Sequence, residues 1–444
     1  MFTALTILLS ATAGAITASI PSCLPGLHAY SLMGLLALPL YAQAGLQAGP
    51  APEVVVSFAA GMIVSFSLLS GIPSILLAAP DDSALFTVLP GQRYLMAGRG
   101  HEAVLTTAAG GASGILLLLP ALALFAPRLL PPAWTVLRPH THWVLWCVIT
   151  FMLMSEWPKG GSLGPAGWRR FLEAWRSPGA GLLTFGLSGI LGFVLLYRSP
   201  ITHEAAFQNL MPAFVGLFTM PWLILNFVSR VEIPPQSLSP MAGLTLRQWA
   251  AGSLAGVLGG GFAALFPVVT GGVGSLLAGH ATAQRDDRAF LVSQGAARGV
   301  YYVGGFLLLF VPGLNLTRGG GAALVRGVYV PYGDRDFIVA LSAVALAGAL
   351  VLLLVSPLSR LTLWMAARWG YRRISAGALA AAGALVLGLT GPGGLAVTLV
   401  AAAVGLLPVL YGARRMNCLG VILLPMACNM SGFGAAVAGW LGLL

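Results

Sequence analysis

The chain has 444 residues, of which 58% are hydrophobic and 8% charged, against about 25% charged in an ordinary soluble domain. That composition excludes a water-soluble globular protein. The longest polar stretch, Glu156 to Pro178, is too short and too Gly-rich to fold by itself. The formal charge of +11 would suggest nucleic acid in a soluble protein. Here it reads as topology, because cytoplasmic loops of membrane proteins are enriched in Arg and Lys.

Apolar segments long enough to approach a crossing of about 20 residues recur from end to end. They are predicted at 2–20, 28–45, 54–77, 102–127, 141–155, 180–197, 209–228, 247–266, 270–284, 289–312, 336–357, 375–391, 394–411 and 417–441. Basic clusters separate some of them: Lys159/Arg169/Arg170/Arg176, Arg360/Arg368/Arg372/Arg373 and Arg414/Arg415. These clusters are assigned to the cytoplasmic side. The first segment lacks a basic leader and is read as a retained span. Cys23, Cys147, Cys418 and Cys428 have no metal-ligand spacing and are expected to be small buried apolar groups.

Three breaks interrupt apolar runs: Ser22–His28, Gly71–Ser74 and Phe266–Gly272. Proline removes an amide donor and clashes with the preceding turn. Such backbone survives at membrane depth only where protein shields it or water reaches it. The first and last breaks resemble each other, with Pro25 and Pro267 at matched places, and seven segments fall in each half. An odd number of spans inverts the second copy, so the expectation is two inverted repeats, 1–230 and 231–444. The expected fold is an all-α polytopic membrane protein with about 12–14 segments and Pro/Gly-broken or re-entrant helices. Gly252, Gly256 and Gly260 form one small-residue face for close helix contact.

The stretch from Gly71 to Gly114 is the most specific. Pro80, Thr87, Gly91, Gly98 and Ala103 fall in step with a block of the large membrane subunit of the tripartite tricarboxylate transporters, the TctA family, which this chain resembles. Leu24-Pro25-Gly26-Leu27 looks like that family's first Pro-Gly loop, Pro267 to Gly274 like its second, and Cys418 to Pro425 like its C-terminal helix. The likeness covers nearly the whole chain. Val268 stands where the family usually has Gly, and Pro80-Asp81 where it has Pro-Gly. The resemblance implies a plasma-membrane permease for a small carboxylate, driven by a sodium or proton gradient. It also implies a small membrane subunit and a periplasmic binding protein as partners. The short chain fits a compact branch working without them.

Amides at a broken helix suit an anion. The substrate-binding candidates are therefore Pro25, Gly26, His28 and Ser31 at one break, and Pro267, Thr270, Gly271, Gly272 and Ser275 at the other. Ser22, Ser70 and Ser74 are candidates for a coupling cation, whose ligands would be hydroxyl and carbonyl oxygens. The ordinary reading of any one such hydroxyl is that its own helix carbonyl satisfies it. Arg298 lies within an apolar run, where a guanidinium is costly. It is read either as a carboxylate or ion-pair partner or as a side chain reaching to the interface. Asp286 and Asp287 are read as solvated, and Glu102 as capping a helix N-terminus. The expected partners are the bilayer, a carboxylate and a second copy of the chain, with no nucleic acid and no cofactor beyond the coupling ion. A lipid-phosphate flippase and an intramembrane enzyme are the alternative classes; the enzyme lacks a recognisable motif.

Overall fold

The computed structural model describes residues 2–28, 31–36, 50–79, 83, 86–158, 167–202, 209–229, 233–239, 243–282 and 286–444. Lys159, Arg285, Pro80–Asp82 and the later part of the 28–45 segment lie outside the described residues. The described chain is helical, with no strand among the described residues. In order come α1 (Phe2–Ser22), α2 (Pro52–Leu69), α3 (Gly71–Leu76), α4 (Val88–Met96), α5 (Gly100–Leu137), α6 (Thr141–Met154) and α7 (Trp168–Tyr197). Then follow α8 (Met211–Phe214), a π-helical stretch Val215–Thr219, α9 (Met220–Val228), α10 (Leu246–Leu265), α11 (Gly271–Ala281), α12 (Asp287–Leu307) and α13 (Gly319–Val328). The chain ends with α14 (Asp334–Tyr411), a 3-10 turn Arg415–Leu419, α15 (Gly420–Met430) and α16 (Gly434–Trp440).

Among the described residues, six helices are long and apolar enough to cross a membrane, or seven if α15 and α16, bent by 118°, form one broken span. Part of the difference from the sequence reading comes from expected segments joined in one continuous helix, as at Gly100–Met154 and Asp334–Tyr411. Helix α14 contains 78 residues, about 117 Å at 1.5 Å per residue, against a hydrocarbon core of about 30 Å. Gly370 and Gly391 inside it have φ of 75° and 68°, a left-handed backbone that cannot continue a right-handed helix. They divide it close to the expected segments at 336–357, 375–391 and 394–411. The Arg360–Arg373 cluster lies within this helical backbone rather than in an open loop.

The chain forms two compact units, Met1–Arg138 with Arg230–Ile374, and Pro139–Ser229 with Ser375–Leu444. In the first unit α1 packs along α2: Gly14 faces Phe58, Gly61 faces Ala11, and Ser19 Oγ lies 3.2 Å from Ser65 Oγ. From the crossing at 11–15 and 58–61 to the Ser19–Ser65 contact, the chain advances in the same direction on both helices, so the pair is parallel. Helix α10 runs parallel to α12 in the same way. A Cβ on Gly252, Gly256 or Gly260 would strike the backbone at Ala289, Ser293 or Ala297. The stripe read from the sequence is this crossing, and bare glycine lets the helices approach.

The two parallel pairs point opposite ways. Helix α2 begins at Pro52, and its Glu53 pairs with Arg335 at 3.3 Å. It continues through α3 as a 25-residue span, about 37 Å long. At its far end Leu76 meets Gly100. That is where α12 begins: Arg288 lies 3.7 Å from Glu102, and Asp287 pairs with Arg93 at 3.2 Å. Local chemistry fixes these starts. Pro52 occupies the first turn of α2, where its missing amide costs nothing. Thr245 and Gln248 form a capping box on α10, and Asp286 accepts from Arg288 N and Ala289 N to cap α12. Asp286 thus caps a helix and Asp287 pairs with Arg93, and both remain in contact with solvent.

In the second unit α7 packs on α15, with Gly192 against Val421 and Gly189 against Leu424. Tyr197 Oη donates to Asn429 Oδ1 at 2.5 Å. Gly216 and Gly405 bring the π-helical stretch and its α8 and α9 flanks against the Thr398–Gly405 part of α14. Cys23, Cys418 and Cys428 are buried as expected, whereas Cys147 is exposed on the helix surface.

Candidate substrate site on a buried helix

The two matched breaks share a local geometry. In each, a helix ends, a proline follows, and the next residue is left-handed: Gly26 at φ 83° and Val268 at φ 55°. Pro25 and Gly26 form a turn closed by Leu27 N to Leu24 O at 3.4 Å, with glycine where φ must be positive. Pro267 leads through Val268 to extended Thr270, from which α11 starts. Beyond the third break, just past the end of α3, Ala78 is left-handed at φ 51°.

Both breaks reach α12. His28 Nε2 lies 3.1 Å from the Tyr302 hydroxyl, and the His28 ring packs on Phe66 at 4.3 Å and Tyr302 at 5.6 Å. From the other side, a Cβ on Gly271 would sit 3.1 Å from the Tyr301 ring. One turn earlier on α12, Arg298 is 1% exposed. Its Nε donates to the Ser67 carbonyl at 2.9 Å, and its Nη2 lies 2.7 Å from where a Gly71 Cβ would be. The guanidinium is therefore enclosed by protein at the α2–α3 break rather than reaching for the interface. Proline at 73 strips that break of an amide, and Arg298 serves a carbonyl there.

One turn earlier again, Gln294 is buried and meets Ser275 of α11, with Oγ and Oε1 3.0 Å apart. Ser275 Oγ also lies 2.9 Å from the Gly272 carbonyl. A hydroxyl has one proton, and the Gln294 Nε2 otherwise lacks a partner. Turning the amide so that Nε2 donates to Oγ satisfies both groups and leaves Oε1 free, an assignment made on the network. Either way one end of this buried amide is available. Gln294, Arg298, Tyr301 and Tyr302 thus form one polar face at helical spacing on α12.

Of the residues singled out from the sequence, the fold gathers His28, Gly271, Ser275 and Arg298 along this face. Thr270 and Gly272 belong to the start of α11 that Ser275 ties to it, and Pro25, Gly26 and Pro267 shape the turns. Ser31 is buried, its amide bonded to the His28 carbonyl at 3.0 Å. Among the cation candidates, Ser22 Oγ donates to Ala18 O at 2.6 Å and Ser74 Oγ to Ser70 O at 2.7 Å. Ser70 Oγ is buried with no partner. Gln294 and Tyr302 were not singled out, though their spacing from Arg298 on an apolar helix is the signal that finds them. Glu102, at the start of α5, takes a two-point bond from Arg99 at 2.7 and 2.6 Å. That bond raises the Arg99 pKa.

The family model described as tripartite tricarboxylate transporter TctA matches residues 8–420. The chain belongs to the TctA family. An uncharacterized protein of Methanocaldococcus jannaschii is 23% identical over 368 residues, 82% of each chain. No solved structure matches. The TctA match spans both compact units and all three breaks. It makes this chain a multi-pass membrane component of the transporter type.

Proposed function

We propose that the chain is a plasma-membrane permease for a small di- or tricarboxylate, driven by a sodium or proton gradient, with its anion site on the α12 face. The observation that carries this reading is the convergence of both Pro-broken segments on one buried helix, at Tyr301 and Tyr302, beside Arg298 and Gln294. Unwound backbone in a membrane needs polar partners, and a buried guanidinium favours a bound carboxylate. The His28–Tyr302 pair adds polar groups of fixed position, and Ser70 Oγ is the hydroxyl best suited to a cation. Family membership supports the carboxylate class and the transporter class over an enzyme.

The inverted repeat is part of the same proposal. Each compact unit draws one segment from 1–230 and one from 231–444, with a junction at 229/230. The oppositely directed parallel pairs α1–α2 and α10–α12 each enclose a Pro-broken segment, as inversion requires.

The deciding experiment is uptake by proteoliposomes holding this chain alone. Labelled citrate, succinate and a short-chain lipid phosphate are compared, with and without a sodium or a proton gradient. Gradient-dependent carboxylate uptake supports the reading, and also a permease that works without the small membrane subunit and binding protein. Uptake that appears only when those two family partners are added supports the three-part assembly. Movement of the lipid phosphate alone replaces the reading with the flippase.

A further inference from the structure

Arg415 opens the 3-10 turn of the second unit, and its surroundings are donors. Its Nη2 donates to the Phe218 carbonyl at 2.6 Å, within the π-helical stretch Val215–Thr219. Its guanidinium lies over the Trp222 ring, 4.9 Å from the centroid. Arg415 Nε and Nη1, the Trp222 indole Nε1 and the neighbouring Arg414 Nη1 are buried without a hydrogen-bond partner. These four nitrogens can only donate. Among the described residues no carboxylate pairs with Arg415. The adjacent acid, Glu156, instead accepts from Arg414 N at 2.6 Å and from Ser177 Oγ at 2.8 Å. Asn417 Nδ2 reaches it at 3.4 Å.

Leaving a buried donor unmade is costly, more so on a charged group. Here the excess is one-signed and held in place: the Phe218 carbonyl fixes one corner of the guanidinium and the Trp222 ring lies against it. A π-helical stretch beside a site is a recurrent functional marker. We infer that Arg415 and Trp222, with Arg414, form a second anion-binding site, for a carboxylate or phosphate oxyanion. An oxyanion at one edge of the guanidinium supplies an acceptor to donors that lack one, and charge-assisted bonds of this kind are the strong ones. The inference does not depend on the α12 reading, since it concerns the other unit.

The test uses the full chain purified in detergent, carrying Arg298→Gln to silence the α12 face. Citrate, inorganic phosphate and phosphatidylglycerol in mixed micelles are titrated, with the thermal-unfolding midpoint and calorimetric binding as readouts. Saturable binding of at least one probe is expected to persist. Trp222→Phe, which removes one N–H and keeps the aromatic packing, should weaken it at least tenfold. Arg415→Lys, which keeps charge and loses the planar fork, should do the same. Preference for phosphatidylglycerol identifies a lipid headgroup; preference for citrate or phosphate identifies a free anion. Absence of saturable binding by all three probes, or unchanged affinity in both variants, overturns the site.

Discussion

His28 and Tyr302, 274 residues apart in the chain, meet at 3.1 Å between the imidazole Nε2 and the phenol oxygen. The contact ties the first Pro-broken segment to the helix that carries Arg298. Tyr302→Phe removes this bond and leaves the Phe66 stack. A stability loss of about 0.5–1.5 kcal/mol and a clear fall in carboxylate uptake at constant protein level are expected. Unchanged uptake would remove the pair from the site.

Arg298→Gln is expected to lower uptake by at least about tenfold, the scale of one charged hydrogen bond. Arg298→Lys should not restore it, because lysine lacks the planar fork that serves Ser67 while facing the site. Arg93→Ala is the control. Arg93 is largely exposed in its pair with Asp287, and such pairs contribute little. Equal uptake by Arg298→Gln and Arg93→Ala would refute the assignment.

Val268 carries a β-branched side chain at φ 55°, a strained backbone that costs on the order of 1 kcal/mol or more. Val268→Gly should raise the unfolding midpoint, with a net stabilisation of up to about 1 kcal/mol once the greater freedom of unfolded glycine is counted. Gly26→Val places the same strain at the matched turn and should lower it. A destabilised Val268→Gly protein would show that the valine side chain contributes more than its backbone costs.

Gly256 and Gly261 separate packing from composition. A side chain at Gly256 meets the α12 backbone, whereas nothing lies within 4 Å of a Cβ at Gly261. Gly256→Leu should sharply reduce folded yield, since overpacking typically costs about 1–3 kcal/mol. Gly261→Leu should be tolerated. Gel filtration of both variants decides, and equal profiles would contradict the close α10–α12 crossing.

Topology can be read with single cysteines in a Cys147→Ser background, because Cys147 is the exposed native thiol. Pro50 and Thr282 are both exposed, and they flank the Glu53 and Asp287 ends of the first unit. A membrane-impermeant maleimide should label Pro50→Cys and Thr282→Cys from opposite sides, with Thr282 cytoplasmic. The reason is that Arg93, Arg99 and Arg288 gather at its end. Labelling from one side would reject inversion.

The sequence carried the membrane character, the three breaks, the glycine stripe and Arg298, because each is a local departure from an apolar, helical background. Gln294 and Tyr302 escaped because a polar residue on a helix declares its role only through its partner. Ser275 lies 19 residues from Gln294, and His28 lies 274 from Tyr302. Gly370 and Gly391 were two among 58 glycines, and only the left-handed backbone distinguishes them. Arg414 and Arg415 were taken as a cytoplasmic charge marker. The Phe218 carbonyl and the Trp222 ring, which fold Arg415 inward, are invisible without the contacts.

The interleaving of the two units has a consequence for biogenesis. The first unit needs 230–374 to complete a core begun by 1–138. At ribosomal speeds the first helices therefore wait on the order of ten seconds for α12. During that interval the glycine faces of α5 that later receive α12, at Gly110 and Gly114, stand uncovered. Insertion factors that shelter half-made bundles should thus be needed most while the intervening 139–229 segment is being synthesised.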